Sequence, residues 1–156
     1  MIIDKNYLSR VEDISYFPDS FAAIKLLQEM GYELFIVTNQ SGVGRGYFDL
    51  ENVYQIHKQL QNDLRGQNLR PYIDFAICPH APDEQCQCRK PSGQMIKDLI
   101  EKYHLNPDEC FMVGDKDIDA EAGKNAGITG VTIRSKKVGD FLHYKNLLEF
   151  AQSLKK

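Results

Sequence analysis

The sequence predicts an α/β fold, a three-layer sandwich around a mainly parallel sheet, and two observations support this. Short apolar runs that are typical of buried strands alternate along the chain with amphipathic helical segments. The 156 residues, 42% of them hydrophobic, are enough for one domain, and no internal repeat or linker-like stretch divides them. We therefore expect a single domain over residues 1–156, with no inserted segment large enough to form a separate cap domain.

Apolar spacing and capping residues define the elements in the first half of the chain. Asp19 and Ser20 are expected to cap a helix that Gly31 closes. Asp49 is expected to begin the next helix, because apolar residues follow it at helical spacing. The predicted order is a short strand at 14–17, a helix at 21–30, a strand at 33–38, a glycine-rich loop at 39–48, a helix from Asp49 and a strand at 73–78.

The second half of the chain continues the same alternation. Ligands of parallel α/β sheets bind at the carboxyl ends of the strands, so we expect the chemistry in the polar loops there. These loops lie at 38–46, 78–91, 114–119 and 134–139. The predicted elements are an irregular loop at 78–91, a helix at 93–103, a strand at 110–114, a helix at 117–126 ending at Gly127, a strand at 130–134 and a C-terminal helix opened by Asn146.

Charge and composition exclude several classes of protein. The formal net charge is −3 and the isoelectric point about 5.8, which argues against a nucleic-acid or anionic-membrane binder. No apolar run approaches the ~20 residues of a membrane span, and residues 1–10 do not resemble a signal peptide. Three of the four cysteines crowd together, which indicates a metal site in a reducing compartment rather than disulfides. We expect a cytoplasmic monomer in which the isolated Cys110 is a buried strand residue.

A set of four zinc-type ligands lies in the predicted loop at 78–91. Cys78-x-His80 is followed by Cys86-x-Cys88, and three thiolates with one imidazole complete a tetrahedron around zinc. Such a set leaves no open coordination position, so the zinc would be structural. The alternative is a cysteine-rich loop with free thiols. A nucleic-acid-binding zinc finger is disfavoured, because no basic helix follows.

A cluster of aspartates follows the predicted strand at 110–114. Carboxylates such as Asp115 at a strand end suit Mg²⁺, a hard cation that prefers oxygen ligands. Asp117 and Asp119 have an alternative explanation, because acidic residues in the first turn of a helix interact favourably with its dipole.

Two further loops carry groups that suit phosphate. Thr38 offers a hydroxyl at a strand end, the glycines at 42, 44 and 46 expose backbone N–H groups, and Arg45 offers a planar fork. Arg89 and Lys90 directly follow the last zinc-type ligand, so a zinc-anchored loop would hold a cation rigidly at the site. Each motif alone is also typical of ordinary turns and surface charges. Their common position at strand ends favours phosphate chemistry with Mg²⁺.

The order of these motifs resembles that of the haloacid dehalogenase-like phosphohydrolases. VTNQSG, CRKP and MVGDKDID carry the resemblance, which extends from about Asp4 to Arg134. The segment CPHAPDEQCQCRKP is more specific, since it is similar to the zinc loop of the D-glycero-D-manno-heptose 1,7-bisphosphate 7-phosphatases and the histidinol-phosphate phosphatases. The resemblance implies a phosphatase that acts on a small phosphorylated metabolite with Mg²⁺ and a structural Zn²⁺. In this family one aspartate attacks the phosphoryl group, and a second, two residues later, is the general acid and base.

The resemblance also implies roles for residues of this chain. Thr38 would hydrogen-bond the phosphoryl group, and Lys90 would neutralise charge on the phosphate and the nucleophile. Asp115 would ligate Mg²⁺, with Lys116 and Asp119 supporting that site. The residues implied to face the substrate are Asn39, Ser41, Arg45 and Arg89, and those implied to bind zinc are Cys78, His80, Cys86 and Cys88.

One motif of the family does not occur in the 156 residues. An apolar strand ending in D-x-D-G-T or D-x-D-G-V normally precedes a segment like IIDKNYL, which here starts at residue 2. Asp4 lies on the far side of this motif and does not replace the nucleophile. We expect no turnover without the motif, and unpaired backbone between neighbouring strands. Three explanations compete: a native protein longer than this sequence, which we favour because the other motifs are intact, a noncatalytic zinc- and phosphate-binding protein, or a fragment whose partner supplies the strand.

Two substrates remain open at this point. The loop SGVGRGYF, with Arg45 and a following aromatic residue, resembles the heptose enzymes. The loop spacing and the GITG near residue 127 also fit the histidinol enzymes. An arginine fork suits a second phosphate or sugar hydroxyls better than a cationic amine. We therefore favour heptose bisphosphate, with histidinol phosphate as the alternative.

Overall fold

Parallel strands form the middle layer of the fold. The computed structural model describes residues 2–3, 7–134, 136–137 and 139–155, so Asp4 and two residues of the predicted loop at 134–139 lie outside the described residues. All strand pairings within these ranges are parallel, apart from an isolated antiparallel bridge between Ile2 and Tyr16. The strands are β1 (Phe35–Asn39), β2 (Asp74–Cys78), β3 (Phe111–Gly114), β4 (Thr129–Ile133) and β5 (Leu142–Tyr144).

The helices begin and end largely where capping residues predict. Asp49 and Asn52 form a reciprocal capping box, and the side chain of Asn146 accepts the backbone N–H of Glu149. Gly127 ends another helix with a φ of 83°, a left-handed conformation that favours glycine. The helices are α1 (Ser20–Glu29), α2 (Ser41–Gly44), α3 (Leu50–Gly66), α4 (Gln94–Tyr103), α5 (Asp117–Ala126) and α6 (Leu147–Ser153), with short 3-10 helices at Val11–Asp13 and Pro107–Glu109.

Several local predictions differ from the structure. The predicted strand at 14–17 is only the single bridge at Tyr16, and the predicted loop at 39–48 contains the one-turn helix α2. The short strand β5 was not predicted. Asp19 holds the N-cap position of α1 without a side-chain capping bond. Cys110 precedes β3 and is only partly buried, with its thiol donating to the Asn106 carbonyl.

Helices cover both faces of the strands, which confirms the predicted three-layer sandwich. Alternate residues of β1 and β3 face opposite layers, as strand geometry requires. Ile36 packs against the core of α1 and α3, whereas the neighbouring Phe35 stacks near Tyr103 of α4. Phe111 contacts Phe150 of α6, whereas a side chain at Gly123 of α5 would meet Met112. Helices α1, α3 and α6 therefore form one outer layer, and α4 and α5 form the other.

The strands are divided between two sheets with a cavity between them. In the described part of the chain β1 pairs only with β2, and β3 pairs only with β4, which also pairs with β5. The remaining edges of β1 and β3 line one open cavity of about 1790 Å³. Apolar side chains of five helices line it as well, among them Leu27, Leu60, Leu99, Ile118 and Phe150. Unpaired strand backbone and apolar surface thus meet in the centre of the fold.

No helix in the described ranges is long and apolar enough to cross a membrane.

A buried polar pair lies in the core beneath α3. The Tyr72 hydroxyl donates to the carbonyl of His57 at 2.9 Å and lies 2.8 Å from His57 Nδ1. The His57 ring also stacks on Phe75 with a centroid separation of 4.2 Å. Only 4% of His57 is exposed, and this burial lowers its pKa to about 4. The imidazole is therefore neutral in the folded protein at pH 7.

His57 should make the fold sensitive to mild acid. Its pKa is lower in the folded than in the unfolded chain, so the unfolded chain binds the proton first as the pH falls below about 6.5. We expect the free energy of unfolding to fall by about 2 kcal/mol between pH 6.5 and 4 on account of this residue. Urea unfolding of wild type and His57→Gln across this range measures the effect. The exposed His104→Asn is the control, and an equal acid sensitivity in wild type and His57→Gln would contradict the assignment.

Candidate active site

The ammonium group of Lys90 lies buried where the carboxyl end of β1 meets α5. Lys90 Nζ is 2.6 Å from Asp119 Oδ1 and 2.9 Å from the carbonyl oxygen of Val37. The side chains of Lys90 and Asp119 are each only 9% exposed. A buried charge needs both a counter-ion and hydrogen bonds, and this arrangement supplies them. The pair bridges the two sheets, because Val37 lies in β1 and α5 packs on β3 and β4.

The position of the Asp119 side chain depends on Gly114, the residue that ends β3. A Cβ atom at Gly114 would overlap the Asp119 carboxylate, so only glycine fits there. Asp119 Oδ2 accepts the backbone N–H of Lys116 at 3.2 Å. Both oxygens of this carboxylate thus have partners within the protein, one of them a cation.

The backbone around Lys90 is held from three directions. Asn39 Oδ1 accepts the Lys90 N–H at 3.0 Å, and Asn39 Nδ2 donates to the Lys90 carbonyl at 3.2 Å. Asn125 of α5 donates to the carbonyl of Pro91 at 2.8 Å. Arg89 donates to the carbonyl of His80 at 3.4 Å. Residues 89–91 therefore contact β1, α5 and the loop that carries the cysteines.

The structure brings most of the candidate phosphate and Mg²⁺ residues to the same cavity edge. The Thr38 hydroxyl accepts a hydrogen bond from the Gln40 side chain at 3.1 Å. Asp115 is exposed at the end of β3, whereas Asp117 is paired with Arg134 at 2.5 Å. The candidate residues that line the cavity are Thr38, Asn39, Ser41, Arg89, Lys90, Asp115, Lys116 and Asp119.

Arg45 stands apart from this group. It is exposed at the end of α2 and does not line the cavity. Helix α2 is hydrogen-bonded to the loop that carries the cysteines, because the Gly44 N–H donates to the carbonyl of Pro79 at 2.8 Å. A side chain at Gly44 would also collide with the backbone of Ala81. The loop that carries Arg45 is thus positioned by the segment that carries the cysteines.

The four zinc-type ligands converge at one point of the loop after β2. Their ligand atoms all lie within 4.8 Å of one another. Cys78 Sγ is 3.6 Å from both Cys86 Sγ and His80 Nδ1, and Cys88 Sγ is 3.3 Å from His80 Nδ1. The edge of a tetrahedron built on Zn–S bonds of ~2.3 Å is about 3.8 Å, so the donor set fits zinc in both chemistry and spacing.

The protein environment shifts the pKa values of two thiols of this cluster in opposite directions. Burial raises the pKa of Cys78 to about 12. Burial acts in the same direction on Cys86, but the backbone N–H of Arg89 and the neighbouring thiols outweigh it and lower the pKa of Cys86. A bound divalent cation favours thiolates at all such positions. The backbone contact also links the cluster directly to the residue before Lys90.

The carboxylates fit Mg²⁺ in a more limited way. In the described ranges, the Cys/His cluster is the one group of three or more ligand side chains close enough to hold a metal. Asp119 is engaged by Lys90 and Lys116, which leaves the exposed Asp115 as the available carboxylate of the pair. Mg²⁺ commonly takes one or two carboxylates and completes its octahedron with water and substrate phosphate. Asp115, exposed and lining the cavity, is compatible with that requirement.

Sequence reasoning did not anticipate three contacts that shape the site. The Asn39 side chain bonds to the Lys90 backbone, although the motif implied a substrate-facing role. The Val37 carbonyl and the Asn125 amide also contribute to the Lys90 turn. None of these has a sequence signature, because each joins residues at least 34 positions apart. The glycine before Asp115 was visible in the motif, and the crowding at Gly114 explains it.

Comparison with known proteins places the fold and motifs in one family. Residues 4–127 match the haloacid dehalogenase-like hydrolases. The chain belongs to that family. Among curated relatives of this haloacid dehalogenase-like hydrolase, a D-glycero-beta-D-manno-heptose-1,7-bisphosphate 7-phosphatase of Helicobacter pylori is 38% identical over 81% of this chain and 73% of its own. A D-glycero-alpha-D-manno-heptose-1,7-bisphosphate 7-phosphatase of Photorhabdus laumondii is 36% identical over 79% of this chain and 70% of its own.

A solved structure supports the same family assignment for this haloacid dehalogenase-like hydrolase. The D,D-heptose 1,7-bisphosphate phosphatase of B. bronchiseptica, crystallised with magnesium and phosphate, superimposes with a TM-score of 0.87. It is 25% identical to this chain and is matched over 97% of this chain and 89% of its own. The parallel α/β architecture is therefore that of the family.

Replacing one cysteine of the cluster tests the zinc assignment. We expect elemental analysis to find one zinc per wild-type chain, and Cys86→Ser to lose most of it, because a serine hydroxyl is a poor zinc ligand. Cys86→Ser should also lower the melting temperature, since structural zinc contributes to folding. Cys110→Ser, outside the cluster, should keep the metal. Full zinc occupancy in Cys86→Ser would show that this thiol is not a ligand.

Proposed function

We propose that these residues form the phosphate-binding, Mg²⁺-binding and zinc-binding parts of a phosphomonoester hydrolase. The substrate that we propose is D-glycero-D-manno-heptose 1,7-bisphosphate, which loses its 7-phosphate. The observation that carries the proposal is the buried Lys90 ammonium beside Asp119, at the end of β1 that also presents Thr38 to the cavity. A fixed cation and a hydroxyl at one edge of a cavity suit a phosphoryl group.

Each residue of this edge has a defined part in the proposed reaction. The Lys90 ammonium would neutralise charge that builds up on the phosphoryl oxygens, and its buried position strengthens that effect. The Thr38 hydroxyl, which already accepts a bond from Gln40, still has its own proton to donate to a phosphoryl oxygen. Asp115 would hold Mg²⁺, which when bound shields the phosphate charge and orients its oxygens. The zinc cluster would keep Arg89 and Lys90 in place without contacting the substrate.

Heptose bisphosphate is the better of the two substrates on two grounds. Curated relatives that match most of this chain carry that activity in their names, in both the alpha and the beta form. Arg89 lines the cavity and Arg45 directly follows the adjacent helix α2, so cations are available for a second phosphate or sugar hydroxyls. Histidinol phosphate would bring an ammonium group to the same region.

We also propose that the protein acts in the cytoplasm, as a single domain and as a monomer. The cysteine cluster supports the compartment, because zinc-type thiols persist where the environment is reducing.

The substrate preference can be tested in an extended chain, defined as the 156 residues preceded by an apolar strand and Asp-x-Asp-Gly-Val. With Mg²⁺ we expect kcat/KM for heptose 1,7-bisphosphate to exceed that for histidinol phosphate by at least about tenfold. The cause is that the arginines match a second phosphate and not an amine. Phosphate release measures both rates, and the extended chain with Asn at the first aspartate is the blank. A reversed preference would defeat the assignment.

The 156 residues alone should show no turnover. No D-x-D-G sequence occurs in them, so they contain no candidate for the family's attacking aspartate. Phosphate release from heptose 1,7-bisphosphate with Mg²⁺ should equal that of the buffer. Mg²⁺-dependent hydrolysis that co-elutes with the purified chain would contradict this account.

A noncatalytic zinc- and phosphate-binding protein is the alternative from another class. It predicts that the extended chain binds inorganic phosphate but never releases phosphate from either substrate. Calorimetric titration with phosphate, run beside the turnover assay, separates the two functions.

A further inference from the structure

We propose that Asn39 is a positioning residue, which fixes the Lys90 ammonium group by clasping the Lys90 backbone. The proposal rests on the phosphatase function above, because it assigns a role to Asn39 within that site.

The clasp engages both polar groups of one residue's main chain. Asn39 Oδ1 accepts the Lys90 N–H at 3.0 Å, and Asn39 Nδ2 donates to the Lys90 carbonyl at 3.2 Å. Two bonds from one planar carboxamide define both the position and the orientation of the Lys90 backbone. A single bond from Asn39 would define the position of the Lys90 backbone but not its orientation.

The same strand also contacts the far end of the lysine side chain. Lys90 Nζ bonds to the carbonyl of Val37, two residues before Asn39 in β1. Two residues of a strand span about 6.6 Å, so β1 holds Lys90 at two separated points. The strand itself is rigid at this position, because Asn39 pairs with Cys78 of β2 and Gln40 N–H donates to the Cys78 carbonyl at 2.7 Å. Asn39 thus fixes the position of Lys90 relative to the β1–β2 pair.

The clasp and the zinc cluster constrain different parts of the turn. The cluster ends at Cys88 and contacts the turn through the Arg89 backbone. Asn125 bonds to Pro91 on the other side. Between these two supports, the Asn39 carboxamide bonds to the backbone of Lys90. Loss of the clasp should therefore move Lys90 without releasing zinc.

A displaced ammonium affects the transition state more than substrate binding. Charge on the phosphoryl oxygens changes during transfer, and a preorganised cation is effective only if it already lies where the charge develops. Small displacements of such a group cost large factors in rate. A direct substrate contact by Asn39 would instead contribute to binding in the ground state, which distinguishes the two roles.

Nuclear magnetic resonance of the zinc-loaded 156-residue chain tests the clasp without any turnover. In Asn39→Ala we expect the Lys90 amide to exchange with solvent at least about tenfold faster than in wild type. We expect the 15N resonance of the Lys90 ammonium to shift or broaden, with zinc content unchanged. Asn39→Asp keeps the acceptor for the Lys90 N–H, so it should restore the slow amide exchange.

Asn146→Ala is the matched control, because it removes an asparagine that caps α6 away from this turn. It should lower stability and leave both Lys90 resonances as in wild type. Unchanged Lys90 resonances in Asn39→Ala would overturn the proposal. Equal changes in Asn39→Ala and Asn146→Ala would also overturn it, because they would reflect general loosening.

Kinetics of the extended chain supply the functional arm. We expect Asn39→Ala to lower kcat by about 10- to 100-fold with little change in KM, as outer residues that orient a catalytic group typically do. A raised KM with unchanged kcat would make Asn39 a substrate contact and overturn the positioning role. If the parent extended chain itself releases no phosphate, the proposed function fails, and the resonance experiment still decides whether the clasp exists.

Discussion

The Lys90 ammonium is a positive charge that the fold keeps almost entirely out of water. Burying such a charge costs several kcal/mol unless partners are already in place. Its partners here lie in different parts of the molecule, since Val37 belongs to β1 and Asp119 to α5. The two sheets must therefore sit at a fixed separation, and Gly114 must lack a side chain to admit Asp119. Much of the site follows from this one requirement.

The Cys/His cluster acts on the site from outside the cavity. Its ligands converge in the loop after β2, and the same loop ends in Arg89 and Lys90. The loop also contacts α2 through Gly44, so one segment touches groups from two strand ends. This loop contains neither helix nor strand. A metal ion bound by the cluster would cross-link this loop and so hold Arg89 and Lys90 in place.

Patterns within short stretches of sequence predicted those features that depend on interactions between neighbouring residues. The layers, helix α5 and the zinc-type ligands follow from periodicity, capping and spacing within short windows. Helix α2 and strand β5 were missed because four and three residues are too few for a periodicity to show. The contact between Asn39 and Lys90 could not be predicted, because the two residues lie 51 positions apart and only the folded β1–β2 pair brings them together. The place of Asn39 in the motif was visible, but not the direction of its side chain.

The inner edges of β1 and β3 have a consequence for self-association. Unpaired strand edges recruit other extended chains, and proteins usually protect them with charges, prolines or bulges. The segments FIVTN and FMVG contain none of the charged residues or prolines. In the described residues these edges face the cavity that lies between the two helical layers. Partial unfolding of either helical layer would therefore expose both edges to pairing with other extended chains.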